Sequence, residues 1–439
     1  MKLAMVLAFA WLSVLLSNLA LGDCPIGQKT IKTNETKWIF SFPNKINLYY
    51  CPQGSEVPKV VGFKCTDGYA KVGNQCVNQS PPVEVPSKLR YLSRDLVVDL
   101  IDGATKKLTM GIYDFSDKDA QKALKRAVER GVDVEVLGEF HQYYRQNKRN
   151  PCSDVFSVAK YDGYHCPTTF SSFMEESSAS VLDFSIPTKY SPGQVFHAKF
   201  IIADGRSALI SSGNFNQASF KSTRDYAYTT QDPALIESLE DLFQHAWETS
   251  LRNLELASSG DEFESVAEDY TPGWSQTGNQ FRGVTYSPHF RKPLHDFLDS
   301  SQMSVVVENQ SFSDGKLKKK LLELTRRGVR VKVVTKDPCK YGISKSKLKK
   351  FEEFIQEGDG LASISYINSK YLHSKAVLVD DSRGWVGSSN FSQKGIEGSR
   401  DVGVFLDQGG SEELRDLMIE LLQESDSHDY VARAQSCVD

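Results

Sequence analysis

The feature that most constrains this chain is an internal repeat of long period. Residues 108–137 read as strand, helix and strand, and residues 303–334 read the same way. The pairs Phe115/Phe312, Ser116/Ser313, Asp117/Asp314, Gly131/Gly328 and Val132/Val329 keep one constant offset without gaps. Within each copy Ala120, Ala123, Leu124 and Ala127, or Leu317, Leu321, Leu322 and Leu324, recur at helical spacing. Gly131 and Gly328 then end the helices and feed β-branched runs. Strand, helix and strand in that order predict an α/β fold with helices on the faces of a sheet, built twice.

A second string is duplicated on the same framework. His197 and Lys199 are followed after four residues by Asp204, and His373 and Lys375 after four by Asp380. After six more residues comes Ser211-Ser212-Gly213-Asn214 in the first copy and Gly387-Ser388-Ser389-Asn390 in the second; Asp225 and Asp401 lie eleven residues beyond each Asn. If each His-x-Lys lies on a strand, His and Lys project to one face. Lys and Asn suit the non-bridging oxygens of a phosphodiester, and an imidazole can attack phosphorus or protonate a leaving alkoxide. Asp225 and Asp401 are candidates to bind the other imidazole nitrogen and fix its tautomer. Asp204 and Asp380 precede turn-forming residues, so holding a loop is as good a reading for them as touching substrate. His141, His245 and His289 read as packing or surface residues.

The remaining features set the context. Residues 1–22 carry Lys2, an apolar run and a small-residue end, and read as a cleaved signal peptide. In the oxidising compartment this implies, the 8 cysteines suggest disulfides. Proximity groups Cys24, Cys51, Cys65 and Cys76 in an accessory module (residues 23–82), Cys152 with Cys166, and Cys339 with Cys437. Sequons at Asn34, Asn78 and Asn309 are candidate glycosylation sites, whereas a glycan at Asn390 would block the second motif. A Pro-rich linker precedes the first repeat half (87–255), which holds an insertion at about 140–192; the second half is 280–430. The net charge of -4 gives no global basic character.

The paired strings resemble the phospholipase D superfamily, whose HxK(x)4D(x)6GSxN signature is matched fully in the second copy. The first departs from it only by Ser211 in place of Gly. The resemblance implies two similar α/β/α halves about a pseudo-twofold, sharing one active site and needing no metal or cofactor. It implies a phosphohistidine intermediate, with His197 attacking and His373 protonating the leaving group. Lys199, Lys375, Asn214 and Asn390 would bind phosphate, Ser212 and Ser388 would join them in the phosphate-binding pocket, and Asp204 and Asp380, as part of the signature, are placed by the resemblance among the catalytic residues.

A secreted enzyme acting on phospholipid at a membrane surface is the first expectation, by hydrolysis or transfer. The alternative is a secreted nuclease, helped by Lys316, Lys318, Lys319 and Lys320 and by Lys345, Lys347, Lys349 and Lys350, runs that also suit solvated helix faces. A silent binding protein is disfavoured by intact His and Lys in both copies. Ser211 against Gly387, together with the insertion, is where substrate choice is expected to reside.

Overall fold

The computed structural model describes residues 87–138, 180–183, 195–259, 273–426 and 428–438, with short strands before residue 79; side chains are described within 87–138, 195–250 and the last two segments. The signal peptide, Asn34, Cys24, Cys65, Cys152 and Cys166 lie outside the described residues. So do the side chains of Cys51, Cys76 and Asn78. The early backbone forms a three-stranded antiparallel sheet of β1 (Lys29–Thr33), β2 (Thr36–Ser41) and β3 (Asn47–Cys51), then a hairpin of β4 (Tyr69–Val72) and β5 (Gln75–Asn78).

The first repeat half comprises β6 (Lys88–Tyr91), α1 (Arg94–Gly103), β7 (Lys107–Ile112), α2 (Lys118–Glu129), β8 (Asp133–Gly138), β9 (Ser180–Asp183), β10 (Lys199–Ala203), β11 (Ser207–Ser211), α3 (Gln217–Lys221), β12 (Thr223–Arg224), β13 (Tyr226–Thr230) and α4 (Pro233–Ser259). The second comprises β14 (Trp274–Thr277), β15 (Gln280–Tyr286), α5 (Arg291–Asp299), β16 (Ser304–Asn309), α6 (Gly315–Arg326), β17 (Arg330–Lys336), α7 (Pro338–Tyr341), α8 (Lys345–Glu357), β18 (Ala362–Ile367), β19 (Tyr371–Leu372), β20 (Lys375–Val379), β21 (Arg383–Gly387), α9 (Gln393–Glu397), β22 (Val402–Phe405), α10 (Gln408–Ser425) and α11 (Tyr430–Gln435).

Both main sheets have the same plan. The order β6-β13-β11-β10-β7-β8-β9 is matched by β15-β22-β21-β20-β16-β17-β18, with β14 added at the edge. In each, the three strands at one end (β7-β8-β9 and β16-β17-β18) pair in parallel and the remaining pairs are antiparallel, so the sheets are mixed. Asp117 and Asp314 start the repeat helices, their carboxylates accepting the N–H groups of Ala120 and Leu317. Each carboxylate is also gripped by a guanidinium, Arg94 on Asp117 and Arg291 on Asp314, and these arginines keep the offset of the repeat.

The strands that carry the motifs are buried on both faces. Ile201 and Ala203 of β10 enter an outer core with α1 and α2, whereas Phe200 and Ile202 enter a core shared with Val284, Tyr286, Ala376 and Leu378 of the second half. On β20, Val377 and Val379 face a second outer core while Ala376 and Leu378 face the shared one. The apolar runs therefore read as continuous rather than alternating, as doubly covered strands must. The helices also cross over: α10 packs on β6 and α4 on β15. The halves are two sheets closed on one common core, and a separate two-stranded parallel ladder, β12 of the first half with β19 of the second, joins them.

Cys339 and Cys437 form a disulfide, joining α7 to the chain end beyond α11. Asn309 is corrected: it is fully buried, its amide donating to the Ser389 carbonyl (3.2 Å) and accepting from Phe391 N–H (3.1 Å), so the folded chain presents no acceptor there for a glycan.

Candidate active site

The two histidines do not lie on the strands that follow them. β10 begins at Lys199 and β20 at Lys375, and the preceding residues leave their own sheet to hydrogen-bond the opposite half. His197 N–H donates to the Arg400 carbonyl (2.9 Å), and Arg400 N–H to that of Val195 (2.7 Å). His373 and Ser374 N–H both donate to the Arg224 carbonyl (3.2 and 2.8 Å). This backbone exchange delivers each imidazole to the other half's carboxylate. His197 Nδ1 lies 2.6 Å from Asp401 Oδ1, and His373 Nδ1 lies 2.9 and 3.1 Å from the two oxygens of Asp225.

Those carboxylates are themselves fixed. Burial, the largest influence, pushes Asp225 and Asp401 upward, but the histidines and lysines beside them outweigh it, and both are held below the usual carboxylate range. An ionised Asp can only accept, so each Nδ1 carries a proton, which leaves each Nε2 to hold a lone pair when its imidazole is neutral and a second proton when it is charged. Ser212 donates to Asp225 and Ser388 to Asp401, both at 2.7 Å, while their oxygens accept Tyr226 and Val402 N–H. The expectation that Ser212 and Ser388 bind phosphate is therefore corrected: each hydroxyl is buried and committed to the carboxylate that orients the opposite half's histidine.

Burial, then Lys199, drives His197 down to about 4, and burial likewise lowers His373. Lys375 is pushed down to about 8 by burial, and burial holds Lys199 well below the usual lysine range. Lys199 donates to the His197 carbonyl and lies 5.2 Å from the Tyr113 ring centre; Lys375 donates to the His373 carbonyl and to that of Ser212 (3.3 Å). Asn214 and Asn390 each hold a buried amide oxygen without a hydrogen-bond partner, so their carboxamides are not consumed by the scaffold. Two imidazoles and two lysine side chains thus converge where the halves meet, a set able to bind an anion and move one proton, and Asn214 and Asn390 follow closely in sequence on the serines that hold its carboxylates.

Asp204 and Asp380, expected among the catalytic residues, are placed elsewhere. Each follows its buried strand at the end away from the imidazole, in left-handed backbone (φ 56° and 50°). The Asp204 carboxylate accepts the N–H groups of Thr105, Lys106 and Lys107, and that of Asp380 the N–H groups of Gln302, Met303 and Ser304. They tie each strand end to the loop entering β7 or β16. Their spacing is kept by folding geometry rather than by substrate.

Tyr113 and Tyr371 escaped the sequence reading. Tyr113 meets the His197 ring edge-on at 4.9 Å, and Tyr371 stacks toward His373 at 6.2 Å. Adjacency of Tyr371 to the motif was the available signal; Tyr113 had none. The halves also differ beneath the site. Arg224 and Tyr226 reach across from the first half to Glu308 (2.9 and 2.6 Å), which also accepts from Ser374 of its own half. In the other half Gly111 occupies the repeat position of Glu308, where a Cβ would strike the Phe200 ring, and buried Arg400 keeps Nε and one Nη without partners.

A family model described as cardiolipin synthase, PLD-like domain, matches residues 97–247 and 294–424, one match on each half. Among solved structures, phosphatidylserine synthase of Haemophilus influenzae Rd KW20 is similar over 77% of this chain and 86% of that one, with 14% identity and a TM-score of 0.56. Nuc of Salmonella typhimurium, a phospholipase D family member, is 21% identical over 34% of this chain and 95% of its own, with a TM-score of 0.28. No curated protein sequence matches this chain. With both halves matched and the fold shared, the chain belongs to the phospholipase D superfamily, in the family of the PLD-like domain of cardiolipin synthase.

Proposed function

We propose that this chain is a metal-independent phosphodiesterase that cleaves in two steps through a phosphohistidine. The reciprocal pairing of His197 with Asp401 and His373 with Asp225 carries the reading, because it leaves two Nε2 atoms of complementary use. His197, held neutral to about pH 4, is the nucleophile. Its Nε2 attacks phosphorus, the bond to the leaving oxygen breaks, and that oxygen takes the Nε2 proton of His373. Water then gives a proton to His373 and attacks phosphorus, and the P–N bond to His197 breaks. Lys199, Lys375, Asn214 and Asn390 hold the non-bridging oxygens and offset their charge.

Secretion, or delivery to an endolysosomal lumen, belongs to the same proposal and rests on the N-terminal apolar segment. A phospholipid is the substrate suggested by the family's described member. A nucleic-acid diester is the second reading, favoured by one observation, a lysine and tyrosine surface beside His373. The mature chain, incubated with EDTA, is expected to hydrolyse a small activated diester, and His197→Ala and His373→Ala are each expected to lower the rate at least 100-fold. Unchanged rates in both variants would exclude the mechanism.

A further inference from the structure

The lysine-rich runs of α6 and α8 divide in the folded chain. Lys316, Lys320 and Lys349 meet carboxylates, on Glu397, Asp299 and Glu353. Lys318 and Lys347, with Lys336 and Lys340 near α7, meet rings instead. Lys318 lies 4.7 Å from the Phe351 ring centre and Lys347 5.4 Å. Lys336 is 5.8 Å from both Tyr341 and Tyr371, and Lys340 is 5.3 Å from Tyr341. None of these four has an ion-pair partner among the described residues.

These groups form one track that ends at the active site. Tyr341 contacts Tyr371 edge-on at 4.5 Å, and Tyr371 is the ring stacked toward His373. Burial is the main influence disfavouring the charge of Lys318 and Lys347, and neighbouring ammonium groups add to it, Lys347 and Lys350 on Lys318 and Lys336 on Lys347, so these groups lie within reach of one another along the track. The acid in the middle faces away: Asp337 caps α7 through Cys339 and Lys340 N–H and pairs with Arg433. The Cys339–Cys437 disulfide fixes the same turn, so the track is held before any ligand arrives.

We propose that the surface formed by Tyr371, Tyr341, Lys336, Lys340, Lys347 and Lys318 binds a single-stranded nucleic acid and leads its backbone to the His373 side of the active site. Ammonium groups without carboxylate partners match repeated phosphates, and half-buried tyrosine rings between them match unpaired bases, which a duplex keeps stacked. A membrane surface also attracts lysines, but it gives no reason for rings to alternate with them. The cleavage half of this inference rests on the phosphodiesterase reading, while the binding half does not.

The test uses the mature full-length chain and fluorescent 20-nucleotide DNA and RNA strands, their duplexes, and vesicles containing phosphatidylserine. Anisotropy is expected to report strand binding that weakens steeply with salt, and tighter binding to strands than to duplex or vesicles. Exposed Lys340→Glu and the milder Lys347→Gln are each expected to weaken strand binding about tenfold and flatten the salt dependence, and Tyr341→Ala to weaken it about tenfold. Lys122→Gln, on a remote helix, is expected to leave binding unchanged. In turnover, the ratio of strand cleavage to small-diester cleavage should fall in the track variants. Absent strand binding, binding indifferent to all three variants, or a preference for vesicles or duplex would overturn the proposal. A wild-type chain that binds strands but cleaves no diester would uphold the track and count against the phosphodiesterase reading.

Discussion

At the scale of single residues, two carboxylate pairs that look alike in sequence do opposite work. Asp225 and Asp401 face imidazoles, whereas Asp204 and Asp380 are saturated by backbone N–H groups of the loops before β7 and β16. Asp204→Ala is therefore expected to lose about 1–3 kcal/mol in denaturant titration, the cost of stranding those donors, with kcat on a small diester unchanged. The pH profile follows from the imidazoles. His197 must be neutral and its pKa is about 4; His373 must be protonated and its pKa is lowered below 6.5 by burial. The free enzyme holds both conditions best between those limits, so kcat/KM should rise through about pH 4 and decline before neutrality. A profile peaking above pH 8 would contradict the assigned roles.

At the scale of elements, the repeat was legible because its helices keep caps, apolar spacing and terminal glycines in register. The difference between Ser211 and Gly387, which looked like a specificity feature, is a packing exchange. Trp385 on β21 lies over the small positions of its sheet, and a Cβ on Gly387 would come within 2.6 Å of both its ring and the Gly403 Cα. The first half has Leu209 at the corresponding place, which leaves room for Ser211 opposite Ala227. Gly387→Ser is expected to destabilise by about 1–3 kcal/mol through overpacking, read as a lower Tm, and Trp385→Leu should recover part of that loss. Equal losses in the single and double variants would remove this explanation. Sequence spacing could not reveal it, because Trp385, Gly387 and Gly403 meet only across the β21–β22 ladder.

At the scale of the whole molecule, the motifs announced chemistry but not its exchange between halves. His197 and Asp225 are close in sequence within one copy, yet each works with a residue of the other, because the segments before β10 and β20 pair across the junction. The same junction contains Arg224 and Glu308, buried and joined through Tyr226 and Ser374. Glu308→Ala leaves a buried guanidinium without its counter-charge and is expected to cost about 3–5 kcal/mol in chemical denaturation, unfolding both halves in one transition. Two separate transitions would mean that the halves do not share a core.

Trapping the covalent intermediate tests the central claim most directly. His373→Ala, mixed with an activated diester whose leaving group needs no proton, should accumulate phosphate on His197, seen by mass spectrometry as an acid-labile, base-stable adduct, while His197→Ala should accumulate none. Phosphate on His373 in the His197→Ala variant, or turnover in either variant at the wild-type rate, would contradict the account.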